Sequence, residues 1–265
     1  MESGKWKVKG GLRPHLNCIS IKTRSVSHNF PLSTVNFQLQ NPEVLMTYKR
    51  LTILCGHYGS GKTNIAVNMA IDLAAQRDHV AIADLDIVNP YFRSKDSEDE
   101  FKEHGIRLIC SDFASSNVDL PSMPADLYSI TDDKTLSVIM DIGGDDRGAY
   151  ALGRLRDAIL NENDYEMLMV VNKFRPLTPD AESTIEVMRE IEAACGIPFT
   201  GIINNSNLAG ETSADDILSS VKYAEEVASL ANLPLVLTTV EEHLYDDLKD
   251  QISPLFRLKL QKKPI

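Results

Sequence analysis

From Arg50 onwards, short apolar segments alternate with longer amphipathic ones. Short apolar runs are typical of strands buried on both faces, and the longer segments have the spacing of helices that bury one face. The predicted strands are Leu51–Cys55, Val80–Ala83, Ile106–Cys110, Leu136–Met140, Met167–Val171, Gly201–Ile203 and Leu235–Leu237. The predicted helices are Thr63–Gln76, Tyr150–Leu160, Asp180–Ala194, Ala214–Ala231 and Glu241–Gln251. This alternation predicts an α/β fold, with a mostly parallel central sheet and helices on both faces.

The segment Gly56–Thr63 reads GHYGSGKT and fits the phosphate-loop pattern G-x-x-x-x-G-K-[ST] in full. It lies between the first predicted strand and the first predicted helix, as the pattern requires. Glycines let the backbone curl its N–H groups around an anion, and the helix adds its positive end. We predict that Lys62 reaches the β- and γ-phosphates and that the Thr63 hydroxyl binds Mg²⁺. The predicted nucleotide-binding residues here are Gly56, Tyr58, Gly59, Ser60, Gly61, Lys62, Thr63 and Asn64.

Carboxylates follow two of the predicted strands. Asp84 and Asp86 come after the second strand, and Asp141 follows a later one. A carboxylate at such a place beside a phosphate loop holds Mg²⁺, usually through water, and we predict this role for Asp141. Gly143 and Gly144 would let the backbone approach a γ-phosphate and move once it leaves. Taken singly, Asp84 or Asp86 could instead cap a helix or stabilise a turn.

Residues 1–45 differ from the rest of the chain. They carry a net charge of +4. Since the whole chain carries −11, the remaining residues carry −15. They lack clear periodicity, and three interpretations remain open: a disordered extension, a stretch upstream of a natural start at Met46, or a transit peptide. We therefore predict a disordered or non-native extension over residues 1–45 and one P-loop nucleotide-binding domain over residues 46–265.

Together, the phosphate loop, Asp84-Leu85-Asp86 and the Asp141-x-Gly-Gly element resemble the MinD/ParA/Mrp branch of P-loop NTPases, the CobQ/CobB/MinD/ParA nucleotide-binding domain family. The resemblance covers about residues 48–250 and is strongest in these motifs. It implies an ATPase that uses ATP and Mg²⁺ and dimerises with ATP between its subunits. It also implies that Asp86 positions or activates the attacking water, as a catalytic residue beside Lys62, and that Asp141 is the acid associated with Mg²⁺.

One departure from the family pattern concerns the catalytic cation. The family's phosphate loop often has an early lysine that contacts the partner subunit's phosphates, and His57 stands in its place. An imidazole could supply a positive charge that depends on pH, because it titrates near neutrality. Arg93, in the loop after Asp86, is an alternative cation. Both could instead be ordinary loop residues.

Two further segments bear on which nucleotide base the protein recognises. Asn172-Lys173-Phe174-Arg175 is similar to the guanine-reading N-K-x-D, but Arg175 replaces the aspartate that pairs with guanine. ATP is therefore favoured over GTP. The resemblance implies that adenine is held by an asparagine after a later strand, where Asn204 and Asn205 are the candidates and Asn204 is our prediction. An asparagine amide can both donate and accept; the alternative is an asparagine turn.

The leading functional hypothesis is an ATPase that acts as a conformational switch. ATP would order the loops after Asp86 and Asp141 and assemble a homodimer, and hydrolysis would release it, with a protein as the further partner. One alternative is an Mg-ATP-dependent small-molecule kinase or ligase on the same scaffold. The other is a nucleotide-gated binding module that does not hydrolyse.

Composition bears on three further questions: nucleic-acid binding, the cellular compartment and membrane binding. The acidic net charge argues against a nucleic-acid surface over the whole molecule. Four scattered cysteines favour a reducing compartment, and we expect a cytoplasmic protein. The apolar residues of Leu255–Leu260 alternate at period two, which favours a final strand or a frayed end over an amphipathic membrane-binding helix.

Overall fold

A computed structural model describes residues 46–85, 97–110, 125–144 and 146–261. Its strands are β1 (Leu51–Cys55), β2 (Val80–Leu85), β3 (Arg107–Cys110), β4 (Ser137–Ile142), β5 (Tyr165–Val171), β6 (Gly201–Asn204), β7 (Leu235–Glu241) and β8 (Leu255–Leu258). Its helices are α1 (Lys62–Ala74), α2 (Glu98–Glu103), α3 (Ala125–Asp132), α4 (Asp146–Gly153), α5 (Arg156–Glu162), α6 (Ala181–Cys195), α7 (Ala214–Ala231) and α8 (Glu242–Leu248). The predicted extension over residues 1–45 lies outside the described residues, as do Asp86 and Arg93.

The described strands form one sheet in the order β3-β2-β4-β1-β5-β6-β7-β8. Every neighbouring pair is parallel. The predicted α/β fold is confirmed, and the sheet is parallel throughout. Because parallel strands end at the same edge, the carboxyl ends of these strands lie along one side of the sheet.

Both faces of the sheet are buried. One apolar cluster joins Leu54, Ile82 and Ile139 of the strands to α1, and the other joins the opposite strand residues to α4, α6 and α7. This burial explains why strands such as β1 and β4 read as continuous apolar runs instead of alternating ones. No helix in the described ranges has both the length and the apolar character needed to cross a bilayer.

Three helical segments differ from the sequence-based expectation. The predicted helix Tyr150–Leu160 is two helices, α4 and α5. Gly153 is the last residue of α4, and it lies against α6: a Cβ added there would be in ordinary van der Waals contact, 3.4 Å, with the carbonyl oxygen of Cys195. The sequence patterns did not predict α2 and α3, whose six and eight residues are too short for a clear period.

A buried ion pair fixes the opposite end of the sheet, where the strands begin. Arg50 pairs with the carboxylate of Glu162 and donates to the carbonyl oxygens of Ile130 at 3.0 Å and Leu136 at 2.9 Å. The hydrogen bond from Arg50, helped by a second from Lys134, holds the pKa of Glu162 below its ordinary value. Arg50 therefore joins the start of β1 to the segments before β4 and β5.

We expect Arg50→Met to lower the free energy of unfolding by about 2–3 kcal/mol, because two buried carbonyl oxygens lose their donor and the Glu162 carboxylate keeps only the half-exposed Lys134 as its partner. Urea denaturation at pH 7 measures this loss. Since the pKa of Glu162 is lowered in the folded state, its contribution is present above the unfolded pKa and is lost as the pH falls through the folded one. Lys134→Ala is the matched control: Lys134 also pairs with Glu162, but it is half exposed, and its loss should cost about 1 kcal/mol or less. Equal losses in the two variants would contradict the special role of Arg50.

Candidate functional site

The loop between β1 and α1 has the backbone that its glycines predict. Gly56, Gly59 and Gly61 have φ angles of 148°, 75° and 90°, which favour glycine over other residues. Gly61 precedes α1 and makes no side-chain cap, so the N–H groups of the first helical turn remain available to a ligand. Lys62 is buried and its Nζ donates to the carbonyl oxygens of Gly56 at 3.0 Å and His57 at 3.2 Å. The lysine ammonium is therefore held across the loop.

Asn205, which follows β6, braces this loop against the sheet. Its Nδ2 donates to the carbonyl oxygen of Ser60 at 2.6 Å, and its Oδ1 accepts from the Thr239 hydroxyl of β7 at 2.5 Å. The approach is so close that a Cβ added at Gly61 would lie 2.2 Å from Asn205 Nδ2. The loop conformation is thus tied to the ends of β6 and β7.

The two acidic strand ends that the structure describes lie side by side. Asp141 of β4 is in register with Asp84 of β2 on one side and with Leu54 of β1 on the other. Alternate residues of a strand share a face, so both carboxylates lie on the face that α1 covers, and Thr63 lies in the first turn of that helix. Both are buried. Hydroxyl and carboxylate oxygens are the donors that Mg²⁺ prefers, so Thr63 and Asp141 fit the ion.

The glycine after β4 touches the phosphate loop. A Cβ added at Gly144 would lie 2.5 Å from the backbone nitrogen of Tyr58 and 2.9 Å from the carbonyl carbon of His57. Only a residue without a side chain allows this approach. His57 itself uses its Nδ1 for a 2.9 Å contact with the carbonyl oxygen of Tyr58. The β4–α4 connection and the phosphate loop are therefore in direct contact.

A cavity of about 480 Å³ opens beside the loop, within the size range of small-molecule sites. It extends over the carboxyl ends of β6 and β7 to the segment after β8. Lys62 and Arg175 are the cations among the described residues that line it, and Glu241 is the carboxylate. Its other described lining residues are Tyr58, Gly59, Gly61, Thr63, Asn64, Asn205, Asn207, Ala209, Gly210, Thr212, Ile217, Thr239, Val240, Leu258, Leu260 and Gln261.

Most of the predicted loop residues line the cavity; the predicted residues that do not are Gly56, Ser60, Asp141, Gly144 and Asn204. Asn204 is fully buried: its Nδ2 donates to Ser220 Oγ at 2.9 Å, and its Oδ1 accepts from the Ser206 hydroxyl at 2.8 Å. The structure thus places Asn205, the other candidate, at the cavity, whereas Asn204 is buried and does not line it. The predicted role of Asp86 falls outside the described residues.

The sequence patterns gave no indication of the wall formed by the segment after β8. Asn68 of α1 donates to the carbonyl oxygen of Lys259 at 3.0 Å and accepts from its backbone N–H at 2.9 Å. Asn64 accepts from the backbone N–H of Gln261 at 3.2 Å. These asparagines hold Leu260 and Gln261 at the cavity. Two half-buried asparagines one turn apart on α1 were the available signal.

A family model and several solved structures match the chain. The model of the CobQ/CobB/MinD/ParA nucleotide binding domain family matches residues 51–219. No curated protein matches the chain significantly. Among solved structures, FtsY from Mycoplasma mycoides has a TM-score of 0.46 at 17% identity, over 72% of this chain and 60% of that chain. The 54 kDa signal recognition particle protein from Aeropyrum pernix K1, in complex with GDP, has a TM-score of 0.45 at 15% identity, over 72% and 41% of the two chains. The chain thus spans less than two thirds of either structure.

Proposed function

The chain belongs to the CobQ/CobB/MinD/ParA nucleotide-binding family, and we propose that it is an Mg-ATP-dependent ATPase that acts as a dimerisation switch. The observation that carries this proposal is the charge pattern of the cavity. Lys62 lies at the phosphate loop, whereas Glu241 lies at the end of β7, three strands away in the sheet. At about 4.8 Å per strand, the ends of β1, which leads into the loop, and β7 are about 14 Å apart.

This pattern orients a nucleotide. The loop N–H groups and Lys62 attract the phosphates, and the carboxylate of Glu241 repels them. The ribose and base then extend over β6 and β7, where Val240, Ile217 and Leu260 supply apolar contacts. Glu241 can accept from ribose hydroxyls or from an amino group of the base.

Different residues of the chain would carry out different parts of ATP hydrolysis. Lys62 and the loop N–H groups hold the β- and γ-phosphate oxygens in place for attack. Thr63 and Asp141 would hold Mg²⁺, which when bound neutralises the charge on those oxygens. Asp86, two residues beyond Asp84 at the end of β2, would position the attacking water and accept its proton.

Base selectivity rests on Arg175. In the guanine-reading pattern N-K-x-D, the aspartate accepts hydrogen bonds from guanine N1 and N2, and here that position is an arginine that lines the cavity. A guanidinium has donors only, so it cannot replace the aspartate. ATP is therefore the proposed nucleotide.

The switch is supported by the contact between Gly144 and the backbone of His57 and Tyr58. A γ-phosphate bound at the loop would press on this contact, and its loss would release the β4–α4 connection. We propose that the ATP-bound form is a homodimer that acts on a protein partner in the cytoplasm.

Nucleotide selectivity tests the proposal directly. We expect the purified protein to bind Mg-ATP about tenfold or more tightly than Mg-GTP, a difference of about 1.4 kcal/mol, since guanine finds no aspartate at Arg175. Isothermal titration with both nucleotides measures this, and phosphate release should be slow and lost on adding EDTA. Lys62→Ala should abolish both signals. Tighter binding of GTP would overturn the assignment of ATP. Turnover that depends on an added metabolite would favour a kinase or ligase instead.

A further inference from the structure

We propose that Arg175 is a second phosphate-binding cation, supplied by the same chain from the loop after β5. This inference rests on the proposed function, because it needs a nucleotide in the cavity. The proposed function uses Arg175 only as a missing aspartate, and this inference gives the guanidinium itself a role in binding phosphate.

The local backbone fixes where Arg175 lies. Its N–H donates to the carbonyl oxygen of Asn172 at 3.1 Å, and its own carbonyl oxygen accepts from the Thr178 N–H at 3.1 Å. The Asn172 side chain accepts from the Phe174 N–H at 3.0 Å. This segment is therefore a compact turn that presents Arg175 at the carboxyl edge of the sheet.

The guanidinium of Arg175 packs on the phosphate loop. A Cβ added at Gly59 would lie 3.6 Å from its Nε and 3.7 Å from its Cζ. Both residues line the cavity. Because the N–H groups of this loop are the ones that surround a phosphate, a guanidinium against Gly59 lies within reach of the phosphate chain.

Within the described residues, the Arg175 guanidinium has no partner that would account for its place in the structure. Its Nε is buried, yet it has no hydrogen bond within the described part of the chain, and no described carboxylate forms an ion pair with it. A buried donor left unpaired costs about 1–3 kcal/mol. A phosphate oxygen would satisfy it, since guanidinium and phosphate match in geometry and charge.

The position of the charge fits the departure at His57. In the family pattern, the early loop lysine reaches across to the partner subunit's phosphates. Arg175 instead offers a permanent positive charge from the same subunit, beside Gly59. Phosphate binding would then be completed within one chain, and the dimer would be needed for a purpose other than supplying this cation.

Inorganic tripolyphosphate separates a phosphate contact from a base contact, because it has the phosphates and no base. We expect Arg175→Gln to weaken both Mg-ATP and tripolyphosphate by about 10- to 100-fold in isothermal titration, as for a lost charge-assisted hydrogen bond. Arg175→Lys should recover part of both affinities. Lys173→Ala is the matched control: it removes one positive charge from the same turn, where Lys173 contacts the Ser219 carbonyl oxygen at 3.4 Å and does not line the cavity. Its affinities should stay within about twofold of the original protein's.

The outcomes separate the hypotheses. A loss for ATP alone would make Arg175 a base-stacking residue and overturn the inference. Unchanged affinity for both ligands would overturn it too. A wild-type protein that binds neither ligand would refute the proposed function itself. Thermal denaturation of each variant without ligand identifies a loss of affinity caused by unfolding. Arg175→Lys keeps the aliphatic stem and the charge, so its affinity then shows whether the positive charge of Arg175 binds the phosphates.

Discussion

Replacing Gly61 with Ala is expected to lower the affinity for Mg-ATP by about 100-fold, which corresponds to about 2.7 kcal/mol. Two costs combine. An alanine at a φ of 90° costs about 1–2 kcal/mol, and its Cβ would lie 2.2 Å from Asn205 Nδ2. The Asn205 amide must then leave Ser60, at a further cost of about 1 kcal/mol for the lost hydrogen bond. The phosphate loop then leaves the conformation that binds phosphate, and ATP binding has to restore that conformation at a cost in free energy.

Gly105→Ala is the matched control for the backbone part of this effect. Gly105 also has a positive φ, 68°, but a Cβ added there meets no atom within 4 Å among the described residues. It should cost about 1 kcal/mol of stability through strain and leave the affinity for ATP unchanged. Isothermal titration and thermal denaturation of both variants provide the comparison. If Gly61→Ala bound ATP as tightly as Gly105→Ala, the loop would not be the phosphate cradle.

The fold followed from the sequence where local signals agreed with each other. The helix predicted over Ala214–Ala231 has those bounds because Ser213 forms a capping box with Asp216 and Asn232 ends the helix in the left-handed conformation. The strand Leu51–Cys55 was equally well bounded by its apolar run and the glycine loop. The predicted ends of strands were less accurate where the strand is buried on both faces, because its residues then do not alternate between apolar and polar. Most of β7 is apolar or threonine, and it continues to Glu241, well past the predicted end at Leu237.

The residues of the site likewise fall into those that local sequence patterns predict and those that only the three-dimensional fold brings together. The phosphate loop was predictable because glycine, lysine and threonine at fixed spacing leave few alternatives. The brace from Asn205 to Ser60 and Thr239 was not, because those residues are separated by 145 and 34 positions and only the sheet order brings them together. Arg175 was noticed as a missing aspartate, whereas its contact with Gly59 depends on the turn after β5. Contacts between distant loops leave no periodic signal in one sequence.

The largest expected effect on turnover comes from Asp86→Ala. Removing a residue that positions water and accepts its proton typically costs about 10²–10⁴ in rate, so we expect hydrolysis to fall at least about 100-fold. ATP binding should remain, because Lys62, Thr63 and the loop N–H groups are unchanged. An ATPase that dimerises around ATP would then stay in the ATP-bound state. Size-exclusion chromatography with light scattering should show a doubled mass in Mg-ATP and a monomer in Mg-ADP.

Asp78→Ala is the appropriate control, since Asp78 is exposed just before the other end of β2 and its loss removes the same charge far from the site. It should hydrolyse ATP at the original rate and return to the monomer as ATP is consumed. A constant mass for Asp86→Ala in both nucleotides would remove the dimerisation switch while leaving the ATPase assignment standing. An unchanged rate of hydrolysis would remove Asp86 from the chemistry. A doubled mass in both nucleotides would mean that the γ-phosphate does not control assembly, so the contact between Gly144 and the phosphate loop would not transmit its loss.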